Sequence, residues 1–435
     1  ASMPRTYDRR AVWAWSLYDF ANSAFTTLVV TFVYATYFTQ GIAANEIEGT
    51  ALWTRGITLT AIAVAVLSPF LGAMADRGGH RKRYLGIATV VCVGATAVSF
   101  FFGEGEVLPA LICIVIANIA YEMGLVFYNA FLPDLAPPDR IGRVSGTAWA
   151  LGYFGGLLAL AVGLFGFVLP EAAPFGLDRA AGEHVRATNL LVAVWFGVFA
   201  IPAFLFIKEV KPEVRQSTAS LFKSAFSEMG ETVRELGRYR MIVRLLLARL
   251  FYNDGLVTIF ALGGIYAAGT FGFTTEEIIY FGMALNVAAG LGAFLFGFVD
   301  DKIGGKTTLY ISLVLLSIAT LVAVFGQTKA MIWAAGILVG LAAGPNQSAS
   351  RSLLGRFVPD DKETEFYGFF AFSGKLTAFM GPLLFGILTT TFETQRAGVA
   401  VVLVFFVIGA ALLTLVDERE GIELAARPDN TGVVD

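Results

Sequence analysis

Apolar stretches of about twenty residues recur along this chain, the length that a helix needs to cross a hydrocarbon core about 30 Å thick. They cover residues 11–40, 51–75, 84–102, 107–131, 145–169, 189–208, 242–270, 276–299, 306–326, 329–349, 365–391 and 395–416. Lipid cannot pair with backbone N–H and C=O groups, so long apolar spans must be helices. The pattern predicts an all-α membrane protein with twelve transmembrane helices. Composition agrees: 56% of the 435 residues are hydrophobic and only 15% charged, against about 25% charged in soluble domains. A net charge of −3 gives no basic surplus for nucleic acid. Cys92 and Cys113 lie in apolar segments without ligand spacing and read as packed thiols, so neither a metal nor a cofactor is expected. The first apolar stretch is too long for a secretory leader and has no small-residue cleavage site, so it is expected to stay as a span.

Orientation follows from lysine and arginine. Only Arg55, Arg179, Arg186, Lys329 and Arg396 lie in or beside the loops after odd-numbered spans, and Arg249 and Lys375 lie within spans. The others of the 31 belong to the termini and the loops after even-numbered spans. The positive-inside rule then places both termini in the cytoplasm, with the bacterial inner membrane as the expected location. A charged segment, 209–241, separates residues 1–208 from 242–435, predicting two six-helix halves. Within it Phe222, Phe226, Met229, Val233 and Leu236 recur at helical spacing, which predicts an amphipathic helix along the membrane face.

The halves repeat. "GAMADRGGHRKRYL" (72–85) after span 2 matches "GFVDDKIGGKTTL" (297–309) after span 8. Gly72 aligns with Gly297, Asp76 with Asp301, Arg77 with Lys302, and Arg81 with Lys306. "LPDLAPPDRIG" (132–142) and "VPDDKETEFYG" (358–368) share Pro, Asp and a terminal Gly. Internal duplication in a many-span chain points to a secondary transporter that moves one repeat against the other around a midplane site.

The loop pair carries a resemblance to the major facilitator superfamily, whose signature between spans 2 and 3 reads G-x-x-x-D-R-x-G-R-[RK]. Gly72, Asp76, Arg77, Gly79, Arg81 and Lys82 fit it, although His80 shifts the basic pair by one. More narrowly, "WSLYDFANSAF", "NAFLPDLAPP", "SGTAWALGYFGG" and "GKLTAFMGPLLFG" resemble the branch of fungal vacuolar amino-acid exporters linked to autophagy and their bacterial relatives. The resemblance implies alternating access, with neutral amino acids as the substrate class of the fungal members. Two features depart from the superfamily pattern. Span 4 carries Glu122 where proton-coupled members often place a basic residue, and "GYFGG" lacks the proline of the span 5 antiporter motif.

Helical rise converts position into depth. Asp19 lies nine residues past Arg10, about 14 Å into the membrane, and Asp254 ten past Arg244, about 15 Å. Glu122 and Lys375 reach similar depths. Ionisable groups there rarely face lipid and mark a site by default. Asp19, Asn22 and Thr26 share one face of span 1, and Asn118, Glu122 and Asn129 one face of span 4. These residues, with Asp254 and Lys375, are the expected substrate- and proton-binding set, with Arg249 as an alternative partner for Asp254. Asp19 and Glu122 are the expected proton carriers, because desolvation favours the neutral acid; Na⁺ would suit the same oxygens. Lys375 either reads a substrate carboxylate or neutralises an acid. In the loops, Asp76 is expected to accept from the N-terminus of a neighbouring helix, and Arg77 and Arg81 to reach carboxylates such as Asp134 or Glu365. Such a latch forms only when the cytoplasmic side is closed.

The expected function is secondary transport of a small polar or zwitterionic solute, best a neutral amino acid, by a monomer coupled to protons. A sugar/proton symporter and a transport-inactive receptor on the same fold are the alternatives. No enzyme is expected: the two histidines, His80 and His184, fall in loops on opposite faces, and HExxH and GxSxG are absent.

Overall fold

The computed structural model describes residues 8–209, 230, 234 and 237–426. Most of the amphipathic helix expected in 209–241 lies outside the described residues. Everything described is helix or connection, with no strand. The long helices are α1 (Arg9–Ala24), α2 (Glu46–Gly78), α3 (Arg81–Val98), α4 (Val107–Asn129), α5 (Ile141–Gly163), α6 (Glu183–Phe206) and α7 (Arg240–Phe271). There follow α8 (Thr275–Ile303), α9 (Gly305–Phe325), α10 (Lys329–Phe357), α11 (Glu363–Leu376), α12 (Met380–Thr391), α13 (Gln395–Leu413) and α14 (Glu418–Ala425). Among the described residues, 10 helical stretches are long and apolar enough to cross a membrane. The other two expected spans, the first and the tenth, coincide with helical segments of a different character.

The first is interrupted. α1 gives way to a π-helical turn over Phe25–Phe32, in which the Val33 amide reaches the Leu28 carbonyl at 2.9 Å. The stretch "FTTLVVTF" is dense in β-branched residues, which crowd the preceding turn of an α-helix, and π turns of this sort accompany functional sites. The tenth span is longer than its apolar window. α10 continues past residue 349 because Asn346, Ser350 and Ser352 bond within the protein, Asn346 to Ser312 at 2.9 Å. Polar residues that lower hydropathy thus remain helical, and they carry Arg351 and Arg356 into the helix instead of a loop.

The eleventh span breaks between α11 and α12. Pro382 has no N–H, and its ring opposes the carbonyl four residues back, at Ala378. Thr377–Phe379 therefore form a tight turn, closed by Met380 N–H donating to the Thr377 carbonyl at 2.7 Å.

The two most extensive crossings between the first six helices and the later ones are α5 on α8 and α2 on α11. Both are close enough to demand glycine. A methyl group on Gly72 would overlap the backbone of Thr364 and Glu365, and one on Gly146 would overlap the Ala293 carbonyl. Small residues at helix crossings let backbones touch where no hydrophobic effect drives association. These crossings close the end of the bundle that carries the 72–85 and 297–309 loops.

Gly146→Val should therefore part α5 from α8 at that end, at an overpacking cost of about 1–3 kcal/mol. A cysteine replacing Thr364, which is 0% exposed, should then become reactive to a membrane-impermeant maleimide. Equal labelling of Thr364→Cys with and without Gly146→Val would show that this crossing does not hold the end shut.

Candidate functional site

A cavity of about 1160 Å³ lies between the two sets of helices and opens away from the closed end. Its upper wall is largely apolar, with Leu256, Phe260 and Phe281 among its lining. The π turn contributes Thr26, Thr27 and Thr31. Its floor is polar and is built from α1, α4 and α10.

The floor centres on an ion pair. Arg351 Nη1 lies 3.1 Å from Asp19 Oδ2, joining residues 332 apart in sequence. The same nitrogen donates to Asn129 Oδ1 at 3.2 Å, Nε to Ser145 Oγ at 2.9 Å, and Nη2 to the Ser145 carbonyl at 2.8 Å. A buried pair repays its desolvation only when its remaining hydrogen-bond capacity is met, and here each of the three guanidinium nitrogens donates at least once. Its plane also lies among rings, 4.8 Å from Trp15 and 5.5 Å from Trp149, a favourable cation–π setting. Trp15 stacks on Tyr128 at 4.5 Å and donates to its carbonyl at 2.9 Å, which fixes the floor from below. Trp149 Nε1 is buried with no partner, leaving a donor beside the cavity.

Of the residues read from sequence, Asp19, Asn22, Thr26 and Asn129 line this cavity, with Asn22 donating to Asp19 Oδ1 at 3.4 Å. Asn118, Glu122, Asp254 and Lys375 do not. Asn118 is buried in the helix packing. Lys375 Nζ sits 2.6 Å from Glu122 Oε1 and ties α11 to α4; of the two expected roles for Lys375, the geometry matches neutralisation of an acid. Asp254 is not paired with Arg249. It accepts from Gly381 N–H at 3.1 Å, whereas Arg249 donates to the Phe370 carbonyl and Ser373 and stacks 3.6 Å from the Phe370 ring. Asp19, read from the sequence as a proton carrier, has Arg351 as its cation, a residue the sequence reading did not single out. Arg351 escaped the sequence reading because its polar neighbours ended the apolar window at residue 349. Its four-residue spacing from Gln347, which also lines the cavity, was the available signal.

The loops at the closed end form two matching clasps. Asp76 accepts from the Thr364 and Glu365 amides at 3.0 and 2.8 Å, the N-terminus of α11. Asp301 accepts from the Gly142 and Arg143 amides at 2.9 and 3.3 Å, the N-terminus of α5, and Arg143 Nε closes on its other oxygen at 2.5 Å. Carboxylates are favoured at helix N-termini by the free N–H groups and the dipole. Gly72 and Gly297 sit at the same crossings, each against backbone. Arg81 bridges Asp134 at 3.0 Å and Glu363, not Glu365, at 3.7 Å. Arg77 is half-buried at the end of α2. The basic half of the repeat does not carry over. Lys302 is exposed, and Lys306 offers its backbone N–H to Glu418 at 2.9 Å while its ammonium lies 6.0 Å from the Tyr310 ring. Arg356 makes the ion pairs there, to Asp300 at 2.7 Å and Glu418 at 3.6 Å.

Helices closed at one end by paired loops, around a midplane cavity floored by an ion pair, define a transporter of the major facilitator fold. The human organic anion transporter MFSD10 (TETRAN) superposes with a TM-score of 0.73 over 95% of this chain and 100% of its own, at 15% identity. The major facilitator proton:xylose symporter XylE gives a TM-score of 0.72 over 97% and 99%, at 16% identity. Residues 41–426 match the family described as vacuole effluxer Atg22 like, and the chain belongs to that family. A Bacillus subtilis relative, described as an uncharacterised MFS-type transporter, YxiO, is 27% identical over 423 residues, 96% of this chain and 97% of its own. Autophagy-related protein 22 of Cryptococcus neoformans is 24% identical over 308 residues, 66% of this chain but only 55% of the fungal protein.

The ion pair makes a stability prediction. Arg351→Gln leaves Asp19 buried without a cation, at a cost of about 3–5 kcal/mol. Asp19→Asn with Arg351→Gln should recover most of that loss. Thermal unfolding of the four proteins in detergent closes the cycle, and purely additive losses would mean that the two side chains do not interact.

Proposed function

We propose that this major facilitator transporter carries a small zwitterion, a neutral amino acid, and that Arg351 and Asp19 recognise its two charges. The observation that carries the reading is the Asp19–Arg351 pair on the cavity floor. An α-carboxylate is matched bidentately by a guanidinium, and an α-ammonium by a carboxylate. A zwitterion inserted between them exchanges one ion pair for two, with no net charge left in the cavity. The apolar wall around Leu256 and Phe260 then receives the side chain. A sugar has no charge to offer and leaves the pair as it stands.

Transport proceeds by alternating access in this reading, with residues 1–208 and 242–435 rocking as two six-helix halves joined by 209–241. The clasps at Asp76 and Asp301 stabilise the state open away from them, and they bias the equilibrium because they exist in that state alone. By the positive-inside rule the clasped end faces the cytoplasm of a bacterial inner membrane, as do both termini. Proton coupling would drive accumulation.

Thermal shift of the purified protein against neutral amino acids, dipeptides, xylose and organic anions tests the substrate. A ligand at 100 times its Kd adds about 2.7 kcal/mol of apparent stability. Neutral amino acids should protect the parent, and Arg351→Lys, which loses the fork geometry, should need at least about tenfold more ligand. Protection by xylose that persists in Arg351→Lys would overturn the zwitterion reading. Flux into proteoliposomes separates a transporter from a receptor, which binds without accumulating solute.

A further inference from the structure

Three acids were expected at depth within the spans, and two have cations: Asp19 with Arg351 and Glu122 with Lys375. Asp254 has none. It is 1% exposed, and its Oδ1 is buried with no hydrogen-bond partner. Its Oδ2 accepts from Gly381 N–H, in the first turn of the 12-residue α12. An ionised carboxylate with one oxygen unsatisfied is costly in apolar surroundings, while a neutral acid is far cheaper.

The charged groups on the elements packed against it are committed elsewhere. On α7, Arg249 bonds Phe370 and Ser373, Arg244 the Leu415 carbonyl and Arg240 Glu420; on α11, Lys375 bonds Glu122, while Glu363 and Glu365 at its start face Arg81 and Lys362. On α10, Arg351 and Arg356 hold Asp19 and Asp300, and Lys329 bonds Glu277 at the helix start. The one charge on α13, Arg396, bonds the Val324 carbonyl, and α12 has no charged residue. Tyr252, the nearest phenol on α7, bonds Ser350 at 2.8 Å.

We infer that Asp254 is a proton-binding site separate from the solute site, with the proton on Oδ1, and that it governs how α12 sits on α7. The inference deepens the proton-coupled transport proposed above and rests on it for its role. A proton suits the place better than a metal cation, since one free carboxyl oxygen holds a proton and a cation needs several oxygens. Thr258, one helical turn on, lines the cavity and donates to the Asp254 backbone carbonyl at 2.7 Å, so a single turn separates the carboxyl from the cavity wall. Binding adds one proton and cancels one negative charge, while Oδ2 keeps the Gly381 N–H. Release restores a carboxylate whose bond to the α12 N-terminus is charge-assisted and therefore stronger. α12 follows the Thr377–Phe379 break, and its Phe385 lines the cavity. The ionised state thus draws the outer part of span 11 onto α7, and the neutral state slackens it.

Infrared difference spectroscopy of the full chain in detergent, titrated from acid to alkaline pH, tests this without solute or membrane gradient. A failed transport assay would therefore count against the transport reading and leave this result intact. Beyond the bands of the exposed acids among its 34 Asp and Glu, the parent should show a separate high-frequency carboxylic C=O component, that of a poorly hydrogen-bonded carboxyl, which disappears as pH rises, remains in Asp19→Asn and is missing in Asp254→Asn. Should Asp254→Asn not fold, Asp254→Glu should shift the band in frequency. A parent without that separate component, or a component unmoved in the Asp254 variants, overturns the assignment. So does loss of the band at fixed acidic pH when choline chloride is exchanged for sodium chloride, which would mark a sodium site.

Discussion

The cost of leaving a charge unpaired in apolar surroundings organises this molecule. A carboxylate at membrane depth persists only with a cation or a set of N–H donors around it. Here those partners come from far along the chain. Asp19 takes Arg351, 332 residues away; Glu122 takes Lys375, 253 away; Asp76 takes the amides of Thr364 and Glu365, 288 and 289 away. Asp301 takes those of Gly142 and Arg143. Each interaction joins the first six helices to the later ones. Electrostatic satisfaction is therefore tied to one arrangement of the two sets, and any rearrangement that parts them has to satisfy the same groups another way.

The fold was largely legible because hydrocarbon thickness sets helix length, and twenty-residue apolar windows need no knowledge of tertiary contacts. Legibility failed where side chains meet their needs inside the protein. α10 outruns its apolar window because Asn346 bonds Ser312 and Ser352 bonds Asp300, and hydropathy cannot anticipate such bonds. That single boundary hid Arg351, the cation at the centre of the floor. Depth singled out Asp19, Glu122, Asp254 and Lys375 as ionisable groups within spans, yet depth carries no information on direction around the helix axis. Asp19 turned out to face the cavity, while Glu122 and Lys375 face each other and Asp254 faces the broken span.

The repeat shows the same division between what spacing can and cannot reveal. Asp76 and Asp301 clasp equivalent helix N-termini, since a carboxylate aimed at free N–H groups is a local geometry that duplication preserves. The basic positions diverge. Arg81 reaches Asp134 and Glu363, but on the other side the work falls to Arg356 on α10, which bonds Asp300 and Glu418. A constant offset along the chain would never have aligned Arg356 with Arg81, because a charge can be supplied from any helix that reaches the spot.

Arg351 also shows how recognition and opening can share one residue. It belongs to α10, yet its side-chain partners Asp19, Asn129 and Ser145 all lie on α1, α4 and α5. Parting the closed end strips a guanidinium of most of its hydrogen bonds and leaves Asp19 with an uncompensated charge. In the proposed reading, a zwitterion brings a carboxylate for the one and an ammonium for the other, so the loaded protein can separate its helices at a lower cost than the empty one. A solute with no charge would leave that cost unchanged however well it filled the apolar wall, because an equilibrium shifts only by a ligand's difference in affinity between the two states. The ion pair then acts as a filter on which solute permits movement, beyond its part in deciding which solute binds.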